Sequence, residues 1–146
     1  MQPALRRRFW WGATGLYAAA VLFLSVIPVE TEVEIPHLDK AVHLCEYLLF
    51  AWLLVQAVRI GSRLPAAPDD PFRGAAQAGM PERAYLLWAW IYATSFGLLV
   101  ELIQAMIPWR SAELVDGLVN ALGAAAGVWI GERWPRAGRD GHAHAR

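Results

Sequence analysis

The sequence predicts an all-α protein, a four-helix transmembrane bundle with a small polar cluster at the outer leaflet. Of its 146 residues, 57% are hydrophobic and only 18% are charged, whereas soluble domains run about 45–50% apolar and about 25% charged. The hydrophobic residues form four runs, each close to the roughly 20 residues that a helix needs to cross a bilayer. We therefore expect a single membrane domain over residues 1–146.

The four runs lack the polar outer faces that a soluble helical bundle needs, whereas a helix in lipid satisfies its own backbone groups. The first run carries no charged residue and ends at Pro28, and it is longer than the apolar segment of a signal peptide. A flexible cytoplasmic linker is expected after the second helix, and a disordered tail after the fourth. The predicted helices are 9–28, 41–59, 84–107 and 114–131, with the linker at 60–83 and the tail at 135–146.

The distribution of Lys and Arg predicts the orientation of the bundle. With both termini in the cytoplasm, eleven of the thirteen positive residues lie inside, and only Lys40 and Arg110 lie outside. The reverse topology would place eleven positive residues outside. We therefore predict a multi-pass protein of the plasma membrane with both termini cytoplasmic and the lipid bilayer as its main partner.

Composition also excludes several classes of function. The 13 basic and 13 acidic residues give a net charge of zero, which argues against a nucleic-acid partner, because such proteins need a basic surface. The single cysteine, Cys45, excludes an intramolecular disulfide framework. The chain has no HExxH or GxSxG motif, and we predict no cofactor and no metal.

Polar side chains of three predicted helices fall at one depth, near the outer face of the membrane. Ionisable groups inside a bilayer cost roughly 2.5–3.5 kcal/mol each on insertion scales, and they normally face the bundle interior and mark function. Helical periodicity places the polar residues of each helix on one face of that helix. The predicted binding residues are Asp39, Lys40, His43, Tyr47, Glu101, Gln104, Arg110, Asp116 and Asn120.

This cluster has three interpretations. The first is a hydrogen-bonded network that only holds the outer ends of the helices together. The second is an outward-facing pocket that binds an anionic lipid headgroup or a lipid-linked cell-wall precursor, with Lys40 and Arg110 at its mouth. The third is a hydrolase or transferase that uses His43 as a general base together with Asp39 or Glu101, or in which these three residues hold a metal. Transport is disfavoured, because the inner half of the bundle has no matching polar path.

The fourth predicted helix carries a ladder of glycines at intervals of four residues, Gly123, Gly127 and Gly131. Small residues at this spacing allow another helix to approach closely. Packing within the bundle is the favoured use of the ladder, and a homo-oligomer is the alternative. In either case the close approach presses Asn120 against a neighbouring helix.

The polar residues also form two blocks of motifs in a fixed order. They are Asp39-Lys40-x-x-His43-x-x-Glu46-Tyr47 and Glu101-x-x-Gln104, the latter followed by Pro108-x-Arg110 and Asp116-x-x-x-Asn120-x-x-Gly123-x-x-x-Gly127. Over residues 36–131 the chain thereby resembles the VanZ-like family of small bacterial membrane proteins. Trp109 stands where the family usually has Gly, which permits backbone angles that Trp does not. The resemblance implies the bacterial inner membrane, a cell-envelope role and an association with glycopeptide (teicoplanin) resistance, without an established biochemical activity.

Overall fold

The computed structural model describes residues 3–28, 38–61, 83–109 and 113–134. These segments contain four α-helices, each long and apolar enough to cross a membrane, and this confirms the predicted all-α bundle and its multi-pass character. Most of the predicted linker and the predicted tail lie outside the described residues. The helices are α1 (Pro3–Val26), α2 (Leu38–Gly61), α3 (Ala84–Ala105) and α4 (Leu114–Arg133).

The helices extend further at their charged ends than the hydrophobic runs indicate. Helix α1 begins at Pro3, so that Arg6, Arg7 and Arg8 form part of its first turns, and α2 already begins at Leu38. The sequence prediction placed these starts at 9 and 41 because it stopped at charged residues. Long basic side chains at a helix end reach the membrane interface, so a helix continues past the last apolar residue.

The four helices run alternately up and down, with α2 in contact with each of the other three. At one end, the ring of Trp52 meets the rings of Trp10 and Trp134 at centroid distances of 5.6 and 5.5 Å. At the opposite end, the Gln104 Nε2 donates to the Ser25 carbonyl oxygen over 3.2 Å. We call the first end, which carries most of the described arginines, the basic end. The other, where α2 and α4 begin and α3 ends, is the polar end.

Helices α2 and α4 pack most closely, and the glycine ladder is the reason. A Cβ added at Gly123 would lie 2.5 Å from the Leu44 carbonyl oxygen, and one at Gly127 would collide with the Leu48 carbonyl oxygen. Gly131 is likewise covered by Val55. The ladder is therefore occupied by α2 of the same chain, and the alternative of a homo-oligomer through these glycines is not supported.

Arg59 is the buried charge of the basic end. Its side chain is inserted between α2 and α4, and the residue is only 9% exposed. The guanidinium donates to the Gly131 carbonyl oxygen over 3.1 Å and also to the Gln56 Oε1. A cation at this place satisfies a carbonyl group in the last turn of α4 and complements the negative end of the helix dipole.

Replacing Arg59 by Leu should destabilise the bundle by about 2–4 kcal/mol. The substitution leaves the buried Gln56 side chain and the Gly131 carbonyl oxygen without their donor, and unpaired buried groups cost about 1–3 kcal/mol each. Unfolding in mixed micelles with rising SDS measures the difference. The matched control is Arg133→Leu, which removes only the contact of an exposed guanidinium with the Trp129 ring at 4.0 Å and should cost below about 1 kcal/mol. Equal losses for the two variants would contradict the assignment.

Candidate functional site

Three helices bring titratable side chains together at the polar end. His43 of α2, Glu101 of α3 and Asp116 of α4 each present one nitrogen or oxygen atom, and these atoms lie within 4.8 Å of one another. Each residue lies within about two turns of the end of its helix. The convergence expected from the common depth of these residues is therefore observed.

Two further residues complete what we call the polar centre, defined as His43, Tyr47, Glu101, Asp116 and Asn120. Tyr47 and Asn120 are fully buried, and Glu101 and Asp116 are nearly so. Seven side-chain nitrogen and oxygen atoms of these five residues are buried and make no hydrogen bond to a described residue. One of the seven, the Asp116 Oδ1, lies 3.5 Å from the Lys40 ammonium. Buried polar groups in proteins are nearly always hydrogen-bonded, so this centre departs from ordinary packing.

Helical spacing and one glycine explain how the centre is assembled. His43 and Tyr47 lie one turn apart on α2, as Asp116 and Asn120 do on α4, so that each pair shares a helix face. Gly97, one turn before Glu101, makes room for one member of each pair, Tyr47 and Asn120. A Cβ at this position would lie 2.9 Å from the Tyr47 ring and 3.2 Å from the Asn120 Cβ.

Lys40 lies beside the polar centre and is surrounded by carboxylates. Its ammonium is 3.0 Å from Asp39, 3.1 Å from Glu113 and 3.5 Å from Asp116. These contacts join the first turn of α2 to the start of α4. Among the described residues of the polar end the acidic groups outnumber the single Lys, so the charge of Lys40 is already balanced before any ligand binds.

The predicted dyad of Asp39 and His43 is not formed. The exposed carboxylate of Asp39 accepts a hydrogen bond from Lys40, whereas the buried Nδ1 of His43 has no hydrogen-bond partner among the described residues. At the first turn of α2 the neighbouring ammonium is the stronger partner, because the bond joins two opposite charges. His43 thus has Glu101 and Asp116 as its acidic neighbours. Asp39 does not orient it as a general base, and Glu101 is the predicted partner that lies beside it.

The remaining predicted site residues lie apart from the polar centre or outside the residues that the structure describes. Gln104 is buried, but its amide binds the α1 backbone at Ser25 and fastens α1 to α3. Arg110 lies outside the described residues. Glu113 was missed by the sequence analysis, although it lies immediately before the first residue of α4 and only three positions before Asp116.

Comparison with known proteins finds no match: no protein family, no curated protein and no solved structure is similar to the chain.

Proposed function

We propose that this membrane protein binds a polar ligand at the polar centre and that the ligand is an anionic headgroup of the cell envelope. The supporting observation is the set of buried polar atoms without hydrogen-bond partners, contributed by three helices to one place. A lipid headgroup bearing phosphate, or a lipid-linked cell-wall precursor, offers the oxygen and nitrogen atoms that these groups lack.

The same observation disfavours a purely structural network. A network that holds helix ends together must be built from hydrogen bonds between its members. At the polar end such bonds are made by Lys40 and Gln104, next to the centre rather than within it. In a packed interior, unpaired polar groups reduce stability, so their presence here favours a role in binding.

The anionic class is supported by the position of two basic residues near the outer end of the bundle. Lys40 is partly exposed beside the centre, and Arg110, outside the described residues, comes five positions after the last residue of α3 in the sequence. The described arginines that begin α1 and end α4 lie at the opposite end of the bundle. Positive residues favour the cytoplasmic side, so we propose that the basic end is cytoplasmic and that the polar centre opens to the outer leaflet.

The resemblance of the motifs to the VanZ-like family belongs to the same proposal. It supports a location in the bacterial inner membrane and a partner in the cell envelope. An association with glycopeptide resistance follows only from this resemblance. His43, Glu101, Asp116 and Asn120, which the structure groups together, all belong to the motifs that carry it.

The proposal predicts that Lys40→Gln weakens binding of a phosphate headgroup about tenfold or more, because hydrogen bonds to charged groups contribute about 1.5–3 kcal/mol. Native mass spectrometry of the purified protein measures this with short-chain phosphatidic acid as the probe and short-chain phosphatidylcholine as the comparison lipid. Arg83→Gln is the control, since Arg83 is exposed at the basic end. Equal binding of the two lipids by the unaltered protein, or an equal effect of both variants, would refute the anionic pocket.

A further inference from the structure

We infer that His43, Glu101 and Asp116 bind one divalent transition-metal ion, Zn²⁺ or Mn²⁺, between α2, α3 and α4. The three ligating atoms lie within 4.8 Å of one another, although the residues come from positions as far apart as 43 and 116 in the chain. Ligands of Zn²⁺ lie about 2.0–2.2 Å from the ion. Only a small movement of side chains is needed to bring these atoms to such distances.

A second observation, independent of this proximity, indicates a ligand. The Glu101 carboxylate is nine-tenths buried, and neither of its oxygens has a hydrogen-bond partner among the described residues. Asn120 is completely buried and lies close to the Glu101 carboxylate, without reaching the geometry of a hydrogen bond. Since Glu101 and Asp116 are held close together with little access to water, a cation between them relieves both their desolvation and their mutual repulsion.

The donor set determines the class of ion. Carboxylate oxygens alone would suit Mg²⁺ or Ca²⁺, which take oxygen ligands. The imidazole of His43 shifts the preference to transition metals, and one nitrogen with two oxygens fits Zn²⁺ or Mn²⁺ better than the thiolate-preferring Cu⁺. The described residues near the centre contain no cysteine ligand, since Cys45 is exposed on another face of α2.

The ion also accounts for how an acidic site receives an anion. Two carboxylates and a neutral imidazole balance the two positive charges of the metal, and three protein ligands leave at least one coordination position open, as in catalytic zinc sites. A phosphate oxygen of the headgroup is suited to that position, next to the ammonium of Lys40. For this role the inference rests on the proposed function, whereas binding of the ion does not depend on it.

The test is metal binding by the full chain, purified in detergent and stripped with a chelator. Zn²⁺ and Mn²⁺ are the probes, and Mg²⁺ and Ca²⁺ are the comparison ions. Elemental analysis after dialysis gives the stoichiometry of the bound metal, and calorimetry gives its affinity. We expect one equivalent of Zn²⁺ or Mn²⁺, a rise in Tm on binding, and at least a 30-fold loss of affinity in His43→Gln and in Asp116→Asn. The double control His142→Gln/His144→Gln removes the two histidines of residues 135–146, so that metal held by the tail is distinguished from metal at the site. This control should still bind one equivalent of metal.

The outcomes separate this inference from the proposed function. The inference is overturned if the protein binds no stoichiometric metal or if the tail control loses its bound metal. It is also overturned if both site variants bind the metal as tightly as the unaltered protein. Should His43→Gln fail to fold, as judged by circular dichroism, Asp116→Asn decides the question. Phosphatidic acid binding is then measured with and without metal. Binding of metal without binding of lipid overturns only the proposed function, and lipid binding by a protein that takes up no stoichiometric metal overturns the inference alone. Lipid binding that is unchanged by bound metal overturns only the coordination of the headgroup by the ion.

Discussion

Replacing Gly127 by Val should prevent the bundle from forming in its present packing. A Cβ at this position would collide with the Leu48 carbonyl oxygen and lie 2.9 Å from its carbonyl carbon. Backbone atoms of a neighbouring helix cannot rotate away as a flexible side chain does, so α2 and α4 must separate. Overpacked cores lose about 1–3 kcal/mol, and occasionally more. Because α2 contacts every other helix, we expect a loss at or above the upper end of this range.

The measurement is unfolding in mixed micelles with SDS, together with the yield of monodisperse protein. Gly15→Val is the matched control, because a Cβ added there meets no atom within 4 Å, and the position on α1 is exposed. It should change the free energy of unfolding by less than about 0.5 kcal/mol, as surface substitutions usually do. A Gly127→Val protein as stable as the control would show that α2 and α4 do not pack through the ladder.

Glu101→Gln should abolish ligand binding and leave the bundle at least as stable as the unaltered protein. The amide has the shape of the carboxylate but no charge, so it removes an anion that is buried close to Asp116. An ionisable group inside a membrane costs roughly 2.5–3.5 kcal/mol on insertion scales, and relief of part of this cost favours the variant. Affinity for metal should fall at least 30-fold, because a ligating carboxylate and its negative charge are lost together. Affinity for the phosphate headgroup should fall with it, because the headgroup oxygen binds the metal.

The two readouts distinguish a binding site from a structural network. If Glu101 served packing alone, its replacement would lower stability and leave binding unaffected, the reverse of the expected result. The control is Glu132→Gln, which removes a carboxylate at the basic end that is 3.8 Å from the exposed Arg83. Surface ion pairs contribute about 0–1 kcal/mol, so this control should change neither property appreciably. A decrease of several kcal/mol in Glu101→Gln alone would favour the structural network.

Helix number, helix type and the depth of the site could be predicted from the sequence because they depend on distances along one chain. A run of about 20 apolar residues forms a spanning helix whatever its neighbours are. The polar residues that interrupt these runs have a depth fixed by their place in the helix. The sequence could therefore predict that His43, Glu101 and Asp116 lie at a common depth. The structure places one nitrogen or oxygen atom of each within 4.8 Å of the others.

The sequence could not determine which of these polar groups pair with one another. Asp39 and Glu101 were equally available to His43 by depth, yet Asp39 binds Lys40, and Glu113 joins the same ion pairs. Helical periodicity defines the face on which a side chain lies, but not the rotation of that helix against its neighbours. The choice of partner thus depends on helix packing.

The sequence by itself determined that this chain forms four membrane-spanning helices with polar residues concentrated towards one end, because hydrophobicity and charge act locally along each segment. Only the tertiary structure decided that the glycine ladder receives α2, that Arg59 binds the last turn of α4, and that His43 has two acidic neighbours. The physical reason is close packing. Contacts between helices depend on the shapes of both surfaces at once, and no single helix contains that information.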